Sequence, residues 1–195
     1  MIIRAAAEVF ARHGYLGATT DEVAARASVS KQTVYKQFAG KQSLFREIVT
    51  GTVAEVSDPV AERVASLPDS TDLAAGLQGL ARALLAQVIQ LRVMQLRRLV
   101  IGEAGRFPEL GRLFYDSGPG RTIDALAATF ESLAARETLR LQDPRLAAEH
   151  FNWLVISTPL NQVMLCGDAE LPAQTDLDRY ADAGARAFLA AYGAN

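Results

Sequence analysis

This 195-residue chain has little to offer covalent chemistry: one cysteine, Cys166, two histidines, His13 and His150, and one tryptophan, Trp153. A single cysteine excludes an intrachain disulfide framework and fits a reducing, cytoplasmic setting. Between Leu165 and Gly167, one residue beyond Met164, Cys166 is expected to serve as a small buried hydrophobe rather than a reactive thiol. Two histidines and one cysteine cannot assemble a conventional zinc site, and neither HExxH nor GxSxG occurs. No catalytic residue, metal or cofactor is therefore expected. No apolar run approaches the ~18 residues that a membrane span needs. The opening MIIRAAAEVF is broken by Arg4 and Glu8, so neither a signal peptide nor a membrane partner is expected. Alternating β-patterns are also missing, and Gly118-Pro119-Gly120 is a helix breaker without the Lys-Ser/Thr of a phosphate loop.

What is present is helical patterning punctuated by Gly and Pro. Hydrophobic residues make up 50% of the chain and charged ones 22%, ordinary values for a globular protein with a sizeable core. The formal net charge is −2, but it is unevenly spread. Residues 1–50 carry seven basic and four acidic side chains, a net +3, leaving thirteen basic and eighteen acidic, a net −5, for the remainder. A small basic module on an acidic body suits a protein that meets nucleic acid with one end only.

The stretch TTDEVAARASVSKQTVYKQF (19–38) is the most informative. Thr19 followed by Glu22 has the spacing of a capping box, and Asp21 and Glu22 suit the positive end of a helix dipole. Val23, Ala24 and Ala27 form an apolar stripe, Ser28-Val29 a turn, and Ser30 a second N-cap. The next helix is predicted from about Lys31 to Gln37, with Val34 and Phe38 facing inward. Two short helices about a tight turn read as a helix-turn-helix, whose second helix fits the major groove of DNA.

The longer stretch ATTDEVAARASVSKQTVYKQFAGKQSLF closely resembles the DNA-binding region of TetR/AcrR-type transcriptional repressors, from about Ile3 to Ile48. The recognition helix in that family usually carries His before Phe; here Gln37 stands in its place. The resemblance implies an all-α fold, an N-terminal three-helix helix-turn-helix domain (1–45) and a C-terminal helical bundle (46–195) for ligand binding and dimerisation. The phrase VIGEAGRFPELGRLFYDSGPGR resembles, more weakly, the AefR-like C-terminal domain. Helix 1 begins almost at Met1, so no basic arm is expected to reach the minor groove.

By that resemblance Thr20 and Tyr35 position phosphates. Lys41 matches a phosphate-contacting place; as a cation at a helix start it opposes the dipole and is expected to point outward. Ser30, Lys31, Gln32, Thr33 and Lys36 are the base-reading candidates. Gln32 and Lys36 share a face, and their chemistry suits adenine and guanine edges respectively.

One such motif buries too little surface for specific binding near ~10⁻⁸ M, so a homodimer on a palindromic operator is expected. The resemblance implies pairing through helices at about 120–137 and 144–166. Leu126, Phe130 and Leu133 would lie on one face, and Leu154, Thr158 and Asn161 on the other. It also implies a cavity for an unidentified small-molecule effector, with Met94, Arg98, Phe107, Phe114, Tyr115 and Trp153 as candidate lining. The competing reading is a DNA-binding dimer with no effector, in which aromatics at helical spacing are ordinary core.

Overall fold

A computed structural model describes residues 1–168 and 171–194, so Ala169 and Glu170, within the loop expected at 167–174, lie outside the described residues. Among the described residues there are ten α-helices and a 3-10 turn, with no strand beyond an isolated bridge between Leu139 and Gly193. The helices are α1 (Ile2–Gly17), α2 (Thr20–Arg26), α3 (Lys31–Gln37), α4 (Lys41–Ser66), α5 (Leu73–Val88), α6 (Leu91–Glu103), α7 (Pro108–Ser117), α8 (Pro119–Ala135), α9 (Pro144–Cys166) and α10 (Gln174–Tyr192). The breaks follow local chemistry. Gly14 takes φ +69°, open to glycine, and interrupts α1 after His13. Asp143 caps α9 by accepting from the Leu146 N–H, with Pro144 at its first position. Asp72 caps α5 by accepting from the Ala75 N–H, and Ser70 Oγ donates to the Asp72 carbonyl.

The chain packs as two compact units. One combines Met1–Ala54 with Gln95–Ser117; the other combines Glu55–Met94 with the residues from Gly118 onward. This differs from a division at residue 45. Three short helices cannot bury a core alone, and the first unit completes its core with Leu96, Val100, Leu110 and Phe114 from α6 and α7. At its centre Phe10 stacks on Tyr15 at 5.8 Å and meets Phe45 edge-on at 5.3 Å; Phe107 caps Tyr15 at 4.9 Å. Such pairs contribute roughly 0.5–1.5 kcal/mol each beyond simple burial.

The second unit is built around Phe130, Phe151 and Phe188, from α8, α9 and α10, with ring centroids 5.0–5.7 Å apart. Leu126 and Leu133 share this core. The expectation that Leu126, Phe130 and Leu133 present a dimerisation face is thus corrected: all three point into their own subunit. The exposed side of α8 carries Asp124, Ala128 and Glu131 instead. Cys166 also departs from expectation. It is exposed at the last position of α9, beside the exposed Leu165.

Candidate nucleic-acid interface

The helix-turn-helix is assembled by caps and short electrostatic ties. Thr19 Oγ1 accepts from the Glu22 N–H at 3.2 Å, and Ser30 Oγ accepts from the Thr33 N–H at 3.1 Å. Each cap stabilises its helix by about 1 kcal/mol. Only half of the expected capping box forms. The Glu22 carboxylate lies 2.8 Å from His13 Nε2, drawn to α1 instead of back to its own helix start. Arg26 pairs with Glu8 of α1 as well, so an ion pair and the His13–Glu22 contact set α2 against α1. In the turn, Ser28 adopts φ +55°, a left-handed conformation that costs a side-chain-bearing residue roughly 1–2 kcal/mol. The Val29 N–H still reaches the Ala24 carbonyl at 3.0 Å, which closes the turn.

On this frame the predicted residues fall into distinct environments. Thr20 and Tyr35, fifteen residues apart, share a hydrogen bond of 2.9 Å between their hydroxyls. Val34, fully buried, anchors the inner side of α3, while Tyr35 remains 50% exposed on the outer side. Ser30 and Thr33 are joined through their hydroxyls at 2.9 Å, and Thr33 is half-buried. Lys31 donates to Asp21 at 2.8 Å, and this hydrogen bond, with the carboxylate charge, raises its pKa above the usual lysine range. Among the described residues, Gln32 and Lys36 are exposed and make no hydrogen bond or ion pair through their side chains. Gln37, at the end of the same helix, is likewise exposed and uncommitted.

Lys41 does not point freely outward as expected. Its ammonium donates to the Leu16 carbonyl at 3.1 Å and lies over the Tyr15 ring, 4.9 Å from its centroid. The carbonyl groups at the end of α1 offer this cation a better site than the positive start of α4. Beside it lies a depression of about 290 Å³ lined by Ala39, Gly40, Lys41, Gln42, Ser43 and Arg46. Exposed Arg46 was not singled out from the sequence. Its spacing of four from Gln42, one turn into α4, is the signal that could have found it.

The six candidate effector residues divide between the two compact units. Met94 is fully buried in the second unit's core. Phe107 and Phe114 pack in the first unit, and Arg98 is half-buried. Tyr115 and Trp153 are 49% and 51% exposed. Aromatics on amphipathic helices fill cores or remain at the surface according to which neighbours cover them, and sequence spacing does not name those neighbours. A cavity of about 20 Å³ in the second unit, lined by residues including Ser57, Val64, Arg121 and Thr122, has room for about one water, not an effector. Among the described residues no three His, Cys, Asp or Glu side chains gather as metal ligands, and no helix is long and apolar enough to cross a membrane.

Comparison with known proteins follows these features. Residues 2–48 match the family described as bacterial regulatory proteins, tetR family. Residues 75–194 match the AefR-like transcriptional repressor C-terminal domain. The crystal structure of a TetR-family transcriptional regulator from Mesorhizobium loti MAFF303099 is 39% identical, with a TM-score of 0.90, covering 98% of this chain and 95% of that one. The flavonoid-responsive regulator FrrA is 31% identical, with a TM-score of 0.71 over 98% of this chain and 95% of its own. The uncharacterized HTH-type transcriptional regulator YhgD of Bacillus subtilis (strain 168) is 39% identical over 69 residues, 35% of this chain and 36% of that protein, so the match spans little more than a third of either.

Proposed function

The chain belongs to the TetR family of transcriptional regulators, and from that premise we propose that it is a cytoplasmic, homodimeric repressor that leaves a palindromic operator when a small apolar effector binds. The observation that carries the DNA half of this reading is the recognition helix. Its Tyr35 hydroxyl is tied to that of Thr20 on α2 for backbone contacts, while Gln32 and Lys36 stand exposed with their donors uncommitted. Phosphate contacts position a reader and base-edge contacts give it specificity, and this helix separates the two sets of groups. Arg46 and Lys41, lining one depression at the start of α4, add positive charge to the same compact unit.

Pairing is supported by the exposed side of α9, where Trp153, Leu154 and Leu165 are 51%, 38% and 83% exposed. Effector response is supported by a relative, 31% identical, that is named flavonoid-responsive. Helix α4 offers a covalent route for such a response, because its 26 residues contribute to both compact units. The differential affinity of effector for two α4 settings would supply the coupling.

Selection of binding sites from random DNA tests the reading. A near-palindrome with half-sites about one helical turn apart is the expected outcome; a single unpaired half-site would overturn the dimeric part. The competing reading is a DNA-binding dimer without an effector, in which Met94 and Phe114 are ordinary core. Operator binding that no member of a broad apolar library weakens would establish that alternative.

A further inference from the structure

Arg97 of α6 is the cation in this chain whose surroundings are least explained by its own fold. Arg26, Arg82, Arg92, Arg121, Arg145 and Arg179 each pair with a carboxylate. Those pairs are at the surface, where water would solvate the charge in any case. Arg97 is more buried, yet no acidic side chain holds it. Its Nε is sealed from solvent with no hydrogen-bond partner. The face of its guanidinium lies over the Phe114 ring at 5.1 Å from the centroid. Phe114 belongs to the same buried cluster as Leu96, Val100 and Leu110. Desolvation is the cause that lowers its pKa, and no neighbouring carboxylate offsets it.

A guanidinium has two ways to bind. Its face stacks on aromatic rings, and its edge presents parallel N–H donors that match the two oxygens of a carboxylate. Phe114 uses the face, and among the described residues no carboxylate pairs with the edge. A desolvated cation with no counter-ion is costly, and chains rarely keep one without a partner arriving from outside.

We propose that Arg97 anchors the carboxylate of an apolar organic acid, whose hydrocarbon part lies against the apolar cluster around Phe114, and that such an acid is the effector. The second half rests on the reading of the chain as effector-responsive; the first half does not. A carboxylate on an apolar body fits better than a free phosphate, because the guanidinium edge is bidentate and its surroundings are apolar.

The experiment uses the full-length protein, with decanoate and 2-naphthoate as probes, their primary amides as neutral counterparts, and inorganic phosphate as a third arm. Calorimetry and melting shifts read binding, and fluorescence anisotropy on operator DNA reads release. Wild type is expected to bind each acid at least about tenfold more tightly than its amide, as a charge-assisted bidentate contact implies. Arg97→Met should abolish that preference, melt no lower than wild type without ligand, and keep operator affinity. Arg97→Lys, which keeps charge but loses the fork, should retain only part of the preference and serves if the methionine variant fails to fold. Equal binding of acid and amide by wild type, or an unchanged preference in both variants, overturns the anchor. Phosphate binding as tight as the acids overturns the apolar-acid class. Acids that bind through Arg97 without releasing operator leave the anchor standing and remove the effector assignment. Release by the neutral amides alone removes both the anchor and the acid as effector, and leaves the effector-responsive reading standing.

Discussion

The hydroxyls of Thr20 and Tyr35 lie 2.9 Å apart, joining the first residue of α2 to the middle of α3 across the turn. Replacing either group should therefore disturb the other. Thr20→Val and Tyr35→Phe are each expected to weaken DNA binding about fivefold, equally for all sequences. The double variant should lose less than the product, because the hydroxyls act as a coupled pair. Neither carries charge, so the salt dependence should hardly change. A double-variant cycle by anisotropy at several salt concentrations checks all three expectations.

Gln32 and Lys41 should separate specificity from affinity. Gln32→Ala is expected to relax preference at one base position, by about 1–3 kcal/mol of discrimination. Lys41→Ala should weaken all sequences alike and lower the slope of log affinity against log salt by about 1. It should also cost some stability, because the ammonium holds the Leu16 carbonyl in the free protein. Equal losses from both variants on every sequence would falsify this division.

Gly184 marks the closest approach of α10 to α9. A Cβ placed there would lie 2.6 Å from the Leu154 carbonyl oxygen, which is backbone and cannot swing aside. Gly184→Ala should destabilise the protein by about 1–3 kcal/mol, measured as a lower urea midpoint at unchanged slope. A midpoint at or above the wild-type value would mean that α10 shifts freely on α9.

Arg82 holds Asp182 through two 2.6 Å hydrogen bonds, and those bonds, with the nearby charge, keep the Asp182 pKa below the usual carboxylate value. A depressed folded-state pKa contributes stability that is full above the unfolded value, about 4, and is lost as pH falls through the folded value. Arg82→Met should therefore lower stability at pH 7 and flatten its acid-side decline below about pH 4. The pair is partly exposed, so the effect should be small and weaker at high salt. Melting curves from pH 2.5 to 7 measure it.

The exposed side of α9 should form the subunit contact. Leu154→Glu, 38% exposed in the wild type, should shift the protein toward monomer in sedimentation and reduce operator affinity steeply, while leaving the single-chain fold intact. Trp153, on the same helix and 51% exposed, should show a fluorescence red shift on dissociation. An unchanged dimer with an unchanged Trp153 spectrum would move the contact elsewhere.

Much of the interface was legible along the chain because its determinants are local. Thr19 and Ser30 cap because the N–H they satisfy is three residues away. The bounds of α9 follow from Asp143 and Pro144 at its start and Gly167, at φ +82°, just past its end. Lys41 was legible in position but not in direction. The carbonyl that it meets belongs to Leu16, 25 residues earlier, and no spacing rule reaches that far. His13 likewise drew Glu22 out of its capping box from another helix.

The sequence by itself determined the helices, their caps, the helix-turn-helix and the placement of positive charge at one end, because each follows from side chains a few residues apart. Tertiary structure decided which apolar stripes became core and which remained surface. Phe130 and Trp153 have comparable apolar bulk, yet Phe130 is sealed by Phe151 and Phe188 while Trp153 faces outward. It also decided that Phe107 and Phe114 complete the helix-turn-helix unit's core, and that Arg97 is left desolvated without an acid. Helical periodicity identifies a face to be covered, but the covering residue comes from anywhere in the chain, so only the packed fold names it.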